Sequence, residues 1–159
     1  MANAASAVPQ GYQPLMIQLT LDDAAASIEW YKRAFGAEEQ GRSLGPDGKI
    51  MHGELLINGH RVFVNDTMPG QKGPKALGGS PAGFWLYVKN SDEAFQRATD
   101  AGAKTTLPLA DQFWGDRAGA VSDPEGHVWW IATRKEDLSR EEIERRASEF
   151  FKQMAGMKP

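Results

Sequence analysis

The sequence predicts an α+β fold in which a β-α-β-β-β module occurs twice and is followed by a C-terminal helix. Two observations favour this fold. Glycines that end equivalent elements recur at a steady spacing, with Gly36 and Gly102 separated by 66 residues and Gly59 and Gly126 by 67. A stretch rich in proline and glycine, 67–82, separates the two copies. Internal repetition predicts that each copy is one supersecondary unit.

The first copy has clear element signals. Apolar residues alternate with others from Leu15 to Leu21, which predicts a strand. Asp22 or Asp23 is suited to cap the following helix, and Gly36 to end it. Asn58-Gly59 predicts a tight hairpin turn. The remaining predicted elements are a helix over 24–35 and strands over 37–43, 50–57 and 61–65.

The second copy repeats this order. We predict a strand over 84–88, a helix capped by Ser91 that runs to Ala101, and strands over 104–109, 119–122 and 128–132. Pro108 indicates an edge strand, because proline cannot donate to a neighbouring strand. The segment 67–82 is expected to form neither a helix nor a long strand.

Both ends of the chain differ from the duplicated part. Residues 1–13 are small or polar and predict a disordered leader. The duplicated domain is expected at 14–134, with modules at about 14–66 and 83–133. Ser139 and Glu142 form a capping-box pattern for a helix over 139–155, whose apolar stripe would pack on the body or on a second subunit.

Composition excludes several classes of protein. The net charge of −3 provides no basic excess for nucleic acid, and the absence of cysteine excludes disulfides, thiol nucleophiles and thiolate metal sites. No apolar run suits a membrane span and no secretory signal is visible, so we expect a cytoplasmic protein. Nucleotide-binding and serine-hydrolase motifs are also absent.

Several motifs carry a family resemblance. The first helix ends in Tyr31-Lys-Arg-Ala-Phe-Gly-Ala, a strand contains His52-Gly-Glu-Leu, and a late turn reads Asp123-Pro-Glu-Gly-His. In this order and within a duplication, they resemble the vicinal oxygen chelate superfamily of glyoxalase I, bleomycin-resistance proteins and extradiol dioxygenases, and within it the PhnB-like group. The resemblance covers about 15–133. It implies curved mixed sheets around a deep cleft, usually in a homodimer, and this cleft holds one divalent metal in most enzymes of the superfamily.

The resemblance also implies where metal ligands belong, on the first and last strand of each copy. Transferred through the duplication, those positions are Met16, Phe63, Gly83 and Trp130. None is a usual side-chain ligand for such a metal, so we expect no metal and no other cofactor.

Strand alternation predicts which residues face the cleft. Leu15, Ile17, Leu19 and Leu21, and later Met51, Leu55 and Ile57, should pack on helices, which leaves Ile50 in the cleft. We expect Asp116 and Arg117 to form a surface ion pair and Trp114 to cover the cleft as a lid. His60 and His127 should face the helices and be structural. The predicted ligand-binding residues are Gln18, His52, Phe63, Trp85, Tyr87, Trp114 and Trp130.

Three functions remain open. The first is metal-independent binding of a small, partly aromatic compound in an aromatic cleft. The second is an enzyme, either a lyase, isomerase or dioxygenase with displaced metal ligands, or a metal-free catalyst that uses His52 and Glu54 as a base and its orienting partner. The third is an accessory domain without a ligand. The first hypothesis depends on the aromatic lining and on the four positions that lack ligands.

Overall fold

A computed structural model describes residues 7–156. The helices and strands, in chain order, are β1 (Ile17–Leu21), α1 (Ala24–Phe35), β2 (Glu38–Leu44), β3 (Ile50–Ile57), β4 (His60–Asp66), α2 (Pro74–Leu77), β5 (Gly83–Tyr87), α3 (Ser91–Asp100), β6 (Lys104–Asp111), β7 (Asp116–Ser122), β8 (Val128–Arg134) and α4 (Arg140–Gly156). The predicted α+β fold with two β-α-β-β-β modules and a C-terminal helix is confirmed.

The described residues fall into two compact units. Unit 1 comprises 7–80 with the turn 124–126, and unit 2 comprises 81–123 with 127–156. Each unit has a four-stranded mixed sheet, ordered β1-β4-β3-β2 in unit 1 and β5-β8-β7-β6 in unit 2. The first and last strands of each module are parallel neighbours, and the other pairs are antiparallel.

The strand registers support the duplication, most directly on the first and last strands of each module. Gln18 lies opposite Phe63 in unit 1, and Trp85 lies opposite Trp130 in unit 2. Both pairs are related by an offset of 67. Met16, one of the four metal-ligand positions that the family resemblance implies, lies just before β1.

The first helix begins and ends as predicted. The side chain of Asp23 accepts a hydrogen bond from the Ala26 amide at 2.9 Å and caps α1. Gly36 ends the helix with φ 66°, a left-handed conformation that glycine adopts without steric cost. Asn58 and Gly59, with φ 49° and 80°, form the predicted turn between β3 and β4.

Alternation correctly predicts most of the side of the first sheet that packs on α1. The buried residues on its strands include Leu19, Leu21, Leu55, Ile57, Val62 and Val64. Leu15 and Ile17 were expected there but are 86% and 39% exposed. Ile50 was expected in the cleft but is buried, whereas Met51 is exposed. The pairing shifts between Ser43 and Leu44, so that Met51 is an extra residue and reverses the alternation at the start of β3.

Two predictions for the segment 67–101 differ from the structure, and one for β6 is confirmed. Asn90, not Ser91, caps α3 by accepting from the amides of Asp92 and Glu93 at 3.1 and 3.3 Å. The segment 67–82 contains the short helix α2, which starts at Pro74 because proline suits a first helical position. The strand β6, which contains Pro108, is an edge strand as predicted.

The C-terminal helix contacts the rest of unit 2 through aromatic rings. Phe113 lies 5.4 Å from Phe150 and 6.1 Å from Phe151, measured between ring centroids. Ser139 accepts a hydrogen bond from the amide of Glu142 at 3.2 Å, in agreement with the capping-box prediction. Among residues 7–156, none of the helices combines the length and apolar character needed to cross a membrane.

Candidate functional site

Four aromatic side chains of unit 2 lie together on the sheet face that turns away from α3. We call Trp85, Tyr87, Trp114 and Trp130 the aromatic cluster. Trp85 stacks on Trp130 with a centroid distance of 4.6 Å and an interplanar angle of 7°. Trp85 also stacks on Tyr87 at 6.2 Å and meets Trp114 edge-to-face at 6.3 Å. Trp85 is therefore the central ring of the cluster.

The cluster borders an open pocket. Trp85, Tyr87 and Trp114 line a cavity of about 420 Å³, which is large enough for a small organic molecule. Trp85 is 47% exposed and Tyr87 49% exposed. Trp130 does not line this cavity, but its ring stacks on that of Trp85. Large aromatic rings exposed on a rigid sheet present a stacking surface to a flat ligand.

Asp116 positions two of these rings. Its carboxylate accepts hydrogen bonds from Tyr87 Oη at 2.8 Å and from Trp114 Nε1 at 3.0 Å, and it lies 3.4 Å from Arg134 Nη1. Burial, and then this hydrogen bond, raises the pKa of Tyr87. The side chain of Trp114 is thus held to β7 and is half-buried.

The predicted ion pair between Asp116 and Arg117 is wrong. Asp116 is only 1% exposed, and Arg117 instead bonds Asp92 at 2.6 and 2.8 Å and Asp111 at 3.2 Å. Asp116 and Arg117 are neighbours on β7 and point to opposite faces of the sheet, so their side chains cannot pair with each other. This same alternation was the signal in the sequence that could have identified Asp116 as a residue beneath the cluster.

Unit 1 carries a polar cluster on the corresponding face of its sheet. It consists of Tyr12, His52, Glu54 and Arg61, with Phe63 beside them. Glu54 accepts from Tyr12 Oη and Arg61 Nη1, both at 2.5 Å, and lies 3.2 Å from His52 Nε2. The Phe63 ring packs against His52 at 4.6 Å. The pairing of His52 with Glu54, predicted from their two-residue spacing, is present.

Tyr12 was not identified from the sequence as part of a site. Its ring packs edge-to-face on Phe63 at 5.8 Å, and Arg61 Cζ lies 4.7 Å from the ring centroid. The Gly11 carbonyl accepts from Arg61 Nε at 3.3 Å. These contacts place residues 11 and 12, which belong to the predicted leader, against the sheet. The first six residues lie outside the described part of the chain.

The charge state of Glu54 follows from its donors. The hydrogen bond from Tyr12, followed by those from His52 and Arg61, lowers the pKa of Glu54. The same contact raises the pKa of Tyr12. A pocket of about 440 Å³ adjoins the cluster and is lined by Arg42, His52, Glu54 and Arg61 among others. Glu54 is therefore suited to orient His52 rather than to take up a proton itself.

The residues at the family's metal-ligand positions do not fit a metal. Phe63 faces Gln18, whose Nε2 donates to Asn65 at 2.8 Å, and Trp130 is stacked on Trp85. Aromatic carbons cannot donate to a divalent cation. Within the described residues no group of three or more His, Asp or Glu side chains is arranged to hold a metal ion.

The structure separates the seven predicted ligand-binding residues into two groups. Gln18, His52 and Phe63 belong to unit 1, and the four members of the aromatic cluster belong to unit 2. Their role in binding stays a prediction.

The two remaining histidines differ from each other. His127 is buried, as predicted, and its Nδ1 lies 3.8 Å from Asp123 Oδ2. His60 is the register partner of the buried Ile57 and so shares its face, the helix side, as predicted, but it is exposed at the start of β4 and lies 3.5 Å from Gln13 Nε2.

A duplicated β-α-β-β-β module with a mixed sheet in each copy defines a class of fold, and comparison with known proteins identifies the family. Residues 13–131 match the model of the Glyoxalase/Bleomycin resistance protein/Dioxygenase superfamily. The chain belongs to this superfamily, as the sequence resemblance indicated.

Relatives of known sequence or structure agree with this assignment. The chain is 45% identical over 131 residues to the uncharacterized protein Rv0887c of Mycobacterium tuberculosis, covering 79% of this chain and 77% of that protein. It is 31% identical to the solved structure of TioX from Micromonospora sp. ML1, with a TM-score of 0.61 and coverage of 76% and 97%. The structure of the Arabidopsis thaliana gene product At5g48480 gives 31% identity, a TM-score of 0.62 and coverage of 76% and 98%.

Proposed function

We propose that the protein binds a small, flat, partly aromatic organic compound on the aromatic cluster, and that no metal takes part. The observation that carries this proposal is the exposed Trp85 ring, supported on one face by Trp130 and bordered by a pocket of about 420 Å³. Membership of a superfamily that includes the bleomycin resistance protein is consistent with small-molecule binding.

The proposed binding mode follows from the geometry of the rings. A planar ligand would stack in the pocket beside Trp85, while Tyr87 and Trp114 limit its edges. The hydrogen bonds to Asp116 fix Tyr87 and Trp114 before a ligand arrives. A preorganised site of this kind loses little conformational entropy on binding.

Tryptophan fluorescence tests the proposal directly. A panel of planar aromatic compounds is titrated into the full chain, and at least one should quench the emission with saturation. Trp85→Ala and Trp130→Ala should each weaken that binding by about 1–3 kcal/mol, because each removes a large stacking ring. Trp30→Phe is the matched control, since Trp30 is buried in unit 1. Equal affinities in all three variants would contradict the proposal.

Metal independence has its own measurement. Protein purified without chelator should contain less than about one-tenth of an equivalent of zinc, nickel, iron or manganese, because the side chains at the family's ligand positions offer no suitable donors. Stoichiometric metal bound to residues of either sheet would contradict this part of the proposal.

A second function is favoured by the contact between His52 and Glu54. We propose as the alternative a metal-free enzyme in which Glu54 orients His52, 3.2 Å away, and His52 acts as a general base in the adjoining pocket. His52→Gln should then abolish turnover while leaving aromatic ligands bound to unit 2. If aromatic binding is lost in Trp85→Ala but no turnover is found, only the first proposal stands.

The expected assembly also stays a proposal. The family resemblance implies a homodimer, so light scattering at micromolar concentrations should give about twice the chain mass of 17.4 kDa. A monomer across that range would contradict it.

A further inference from the structure

A second pocket of unit 2 lies beside the N-terminus of α3, apart from the aromatic cluster. It has a volume of about 340 Å³, and its lining includes Lys89, Ser91, Arg117, Thr133 and Lys135. No residue of this pocket belongs to the functions proposed above. The volume is within the range of roughly 300–1,000 Å³ that is usual for small-molecule sites.

The equivalent place in unit 1 contains a carboxylate. Asp66 is 8% exposed and accepts hydrogen bonds from the amides of Ala24 at 2.8 Å and Ile50 at 2.7 Å. This negative charge lies at the first residue of α1, where the helix dipole favours an anion. Unit 1 therefore supplies its own anion at the N-terminus of its helix.

Unit 2 lacks this carboxylate. The offset of 67 places Thr133 at the position of Asp66, and the Thr133 hydroxyl accepts from the Ser91 amide at 2.8 Å. The same offset places Lys89 at the position of Asp22. Between β3 and β7 the registers give an offset of 66, which places Arg117 at the position of Met51. An acidic environment in unit 1 thus corresponds to a basic one in unit 2.

The positive charge of this pocket is only partly balanced. Arg117 is paired with Asp92, which also lines the pocket, and with Asp111. Within residues 7–156, neither Lys89 nor Lys135 forms a salt bridge. Two ammonium groups are therefore available to an anionic ligand.

A buried hydroxyl gives the second, independent indication of a ligand. Ser91 is 1% exposed, and its Oγ has no hydrogen-bond partner within the described part of the chain. Ser91 lines the pocket. Buried polar atoms in native proteins nearly always have a partner, so this hydroxyl indicates that an acceptor binds here. The Asp92 and Glu93 amides already donate to Asn90, which leaves side chains as the available donors.

We propose that this pocket binds a phosphate dianion, either free or as the monoester of a small molecule. The phosphate is paired with Lys89 and Lys135 and accepts a hydrogen bond from Ser91 Oγ, which is closed to solvent in this structure and turns into the pocket when the anion binds. Unlike Asp66, the phosphate does not bond the first amide of the helix, because Thr133 already accepts from the Ser91 amide. The volume of the pocket leaves room for an organic group attached to the phosphate.

Titration of the full chain with inorganic phosphate tests the proposal, with sodium chloride added to hold the ionic strength constant. Phosphate should raise the melting temperature in a saturable way, because it binds the folded state. The double variant Lys89→Gln/Lys135→Gln should bind at least tenfold more weakly. Lys104→Gln is the matched control, since Lys104 is an exposed lysine of the same unit.

A second variant and a second ligand sharpen the test. Thr133→Asp installs the carboxylate of unit 1 and should abolish phosphate binding by occupying the site. Ribose 5-phosphate distinguishes a site for free phosphate from a site for a phosphorylated small molecule. Tighter binding than inorganic phosphate assigns the site to a phosphorylated small molecule, and weaker binding assigns it to the free ion. If neither ligand raises the melting temperature, or if the double variant behaves like Lys104→Gln, the proposal is overturned.

Discussion

The two units have the same topology and matching registers, but they differ on the faces that turn away from their helices. Unit 1 presents Glu54 with Tyr12, His52 and Arg61, so that its face is polar and charged. Unit 2 presents the aromatic cluster. The sides that pack on α1 and α3 are apolar in both units. Burial against the helix therefore maintains the fold in both units, whereas the opposite face carries polar groups in one unit and aromatic rings in the other.

The largest expected effect separates the two faces of β8. Trp129 is 4% exposed and its Nε1 donates to Asp123 at 3.0 Å, so Trp129→Ala should reduce the free energy of unfolding by about 3–5 kcal/mol. Trp130→Ala should cost only about 1 kcal/mol, mainly the stacking on Trp85. Urea denaturation measures both. Equal losses would mean that Trp130 is also a core residue and would remove the main support for the binding surface.

The next effect compares Asp66 with Thr133. Asp66→Ala leaves two buried amides, those of Ala24 and Ile50, without an acceptor and should cost about 2–4 kcal/mol. Thr133→Ala removes the acceptor of one amide, that of Ser91, and should cost about 1 kcal/mol. Urea denaturation in phosphate-free buffer measures both losses. Equal losses would mean that the Asp66 carboxylate stabilises unit 1 no more than the Thr133 hydroxyl stabilises unit 2.

Acid titration gives a smaller difference. Arg42, and then Lys32, lowers the pKa of Glu39 to about 2 from an ordinary value of 4.5. Because the pKa is depressed in the folded state, Glu39 stabilises the protein above about pH 4.5, and this contribution is lost as the pH falls towards 2. Glu39→Gln should therefore flatten the dependence of unfolding free energy on pH in that window.

Glu142 on α4 is the control for this pH effect. Arg145 and Arg146 also lower its pKa to about 2, but its side chain is more exposed, 31% against 18% for Glu39. Exposed ion pairs contribute little to stability because water and salt screen them. Glu142→Gln should change the acid dependence less than Glu39→Gln, and the reverse order would show that α4 is more firmly packed than its exposure indicates.

The smallest effect concerns the helix caps, which the duplication repeats. Asp23→Ala and Asn90→Ala should each reduce the free energy of unfolding by about 1 kcal/mol, since each removes a side-chain acceptor from the first turn. Thermal denaturation of the two variants should give similar shifts. A much larger loss in one of them would show that its helix carries more of the stability of its unit.

Sequence patterns predicted the repeated features well, because they depend on local rules. Alternation identified Leu19, Leu55 and Ile57 as residues that are now seen to be buried, and turn residues such as Gly36 marked the ends of elements. The offset of 67 identified equivalent positions on the first and last strands of the two modules.

The missed features depend on contacts between residues far apart in the chain. Tyr12 reaches Glu54 across 42 residues, and Asp116 joins Tyr87 across 29. The extra residue Met51 interrupts alternation without any glycine or proline to mark it. At α3, Ser91 and Asn90 are both good capping residues, and only the hydrogen bonds show that Asn90 has this role. Periodicity does not contain this information.

The close spacing of the indoles has a consequence for spectroscopy. Trp85 lies 4.6 Å from Trp130 and 6.3 Å from Trp114, so excitation energy absorbed by one ring transfers to the others before it is emitted. These three rings are the majority of the five tryptophans in the chain. A ligand that quenches Trp85 therefore also removes the excitation that the neighbouring indoles pass to this ring, and a single point of contact affects most of the intrinsic emission.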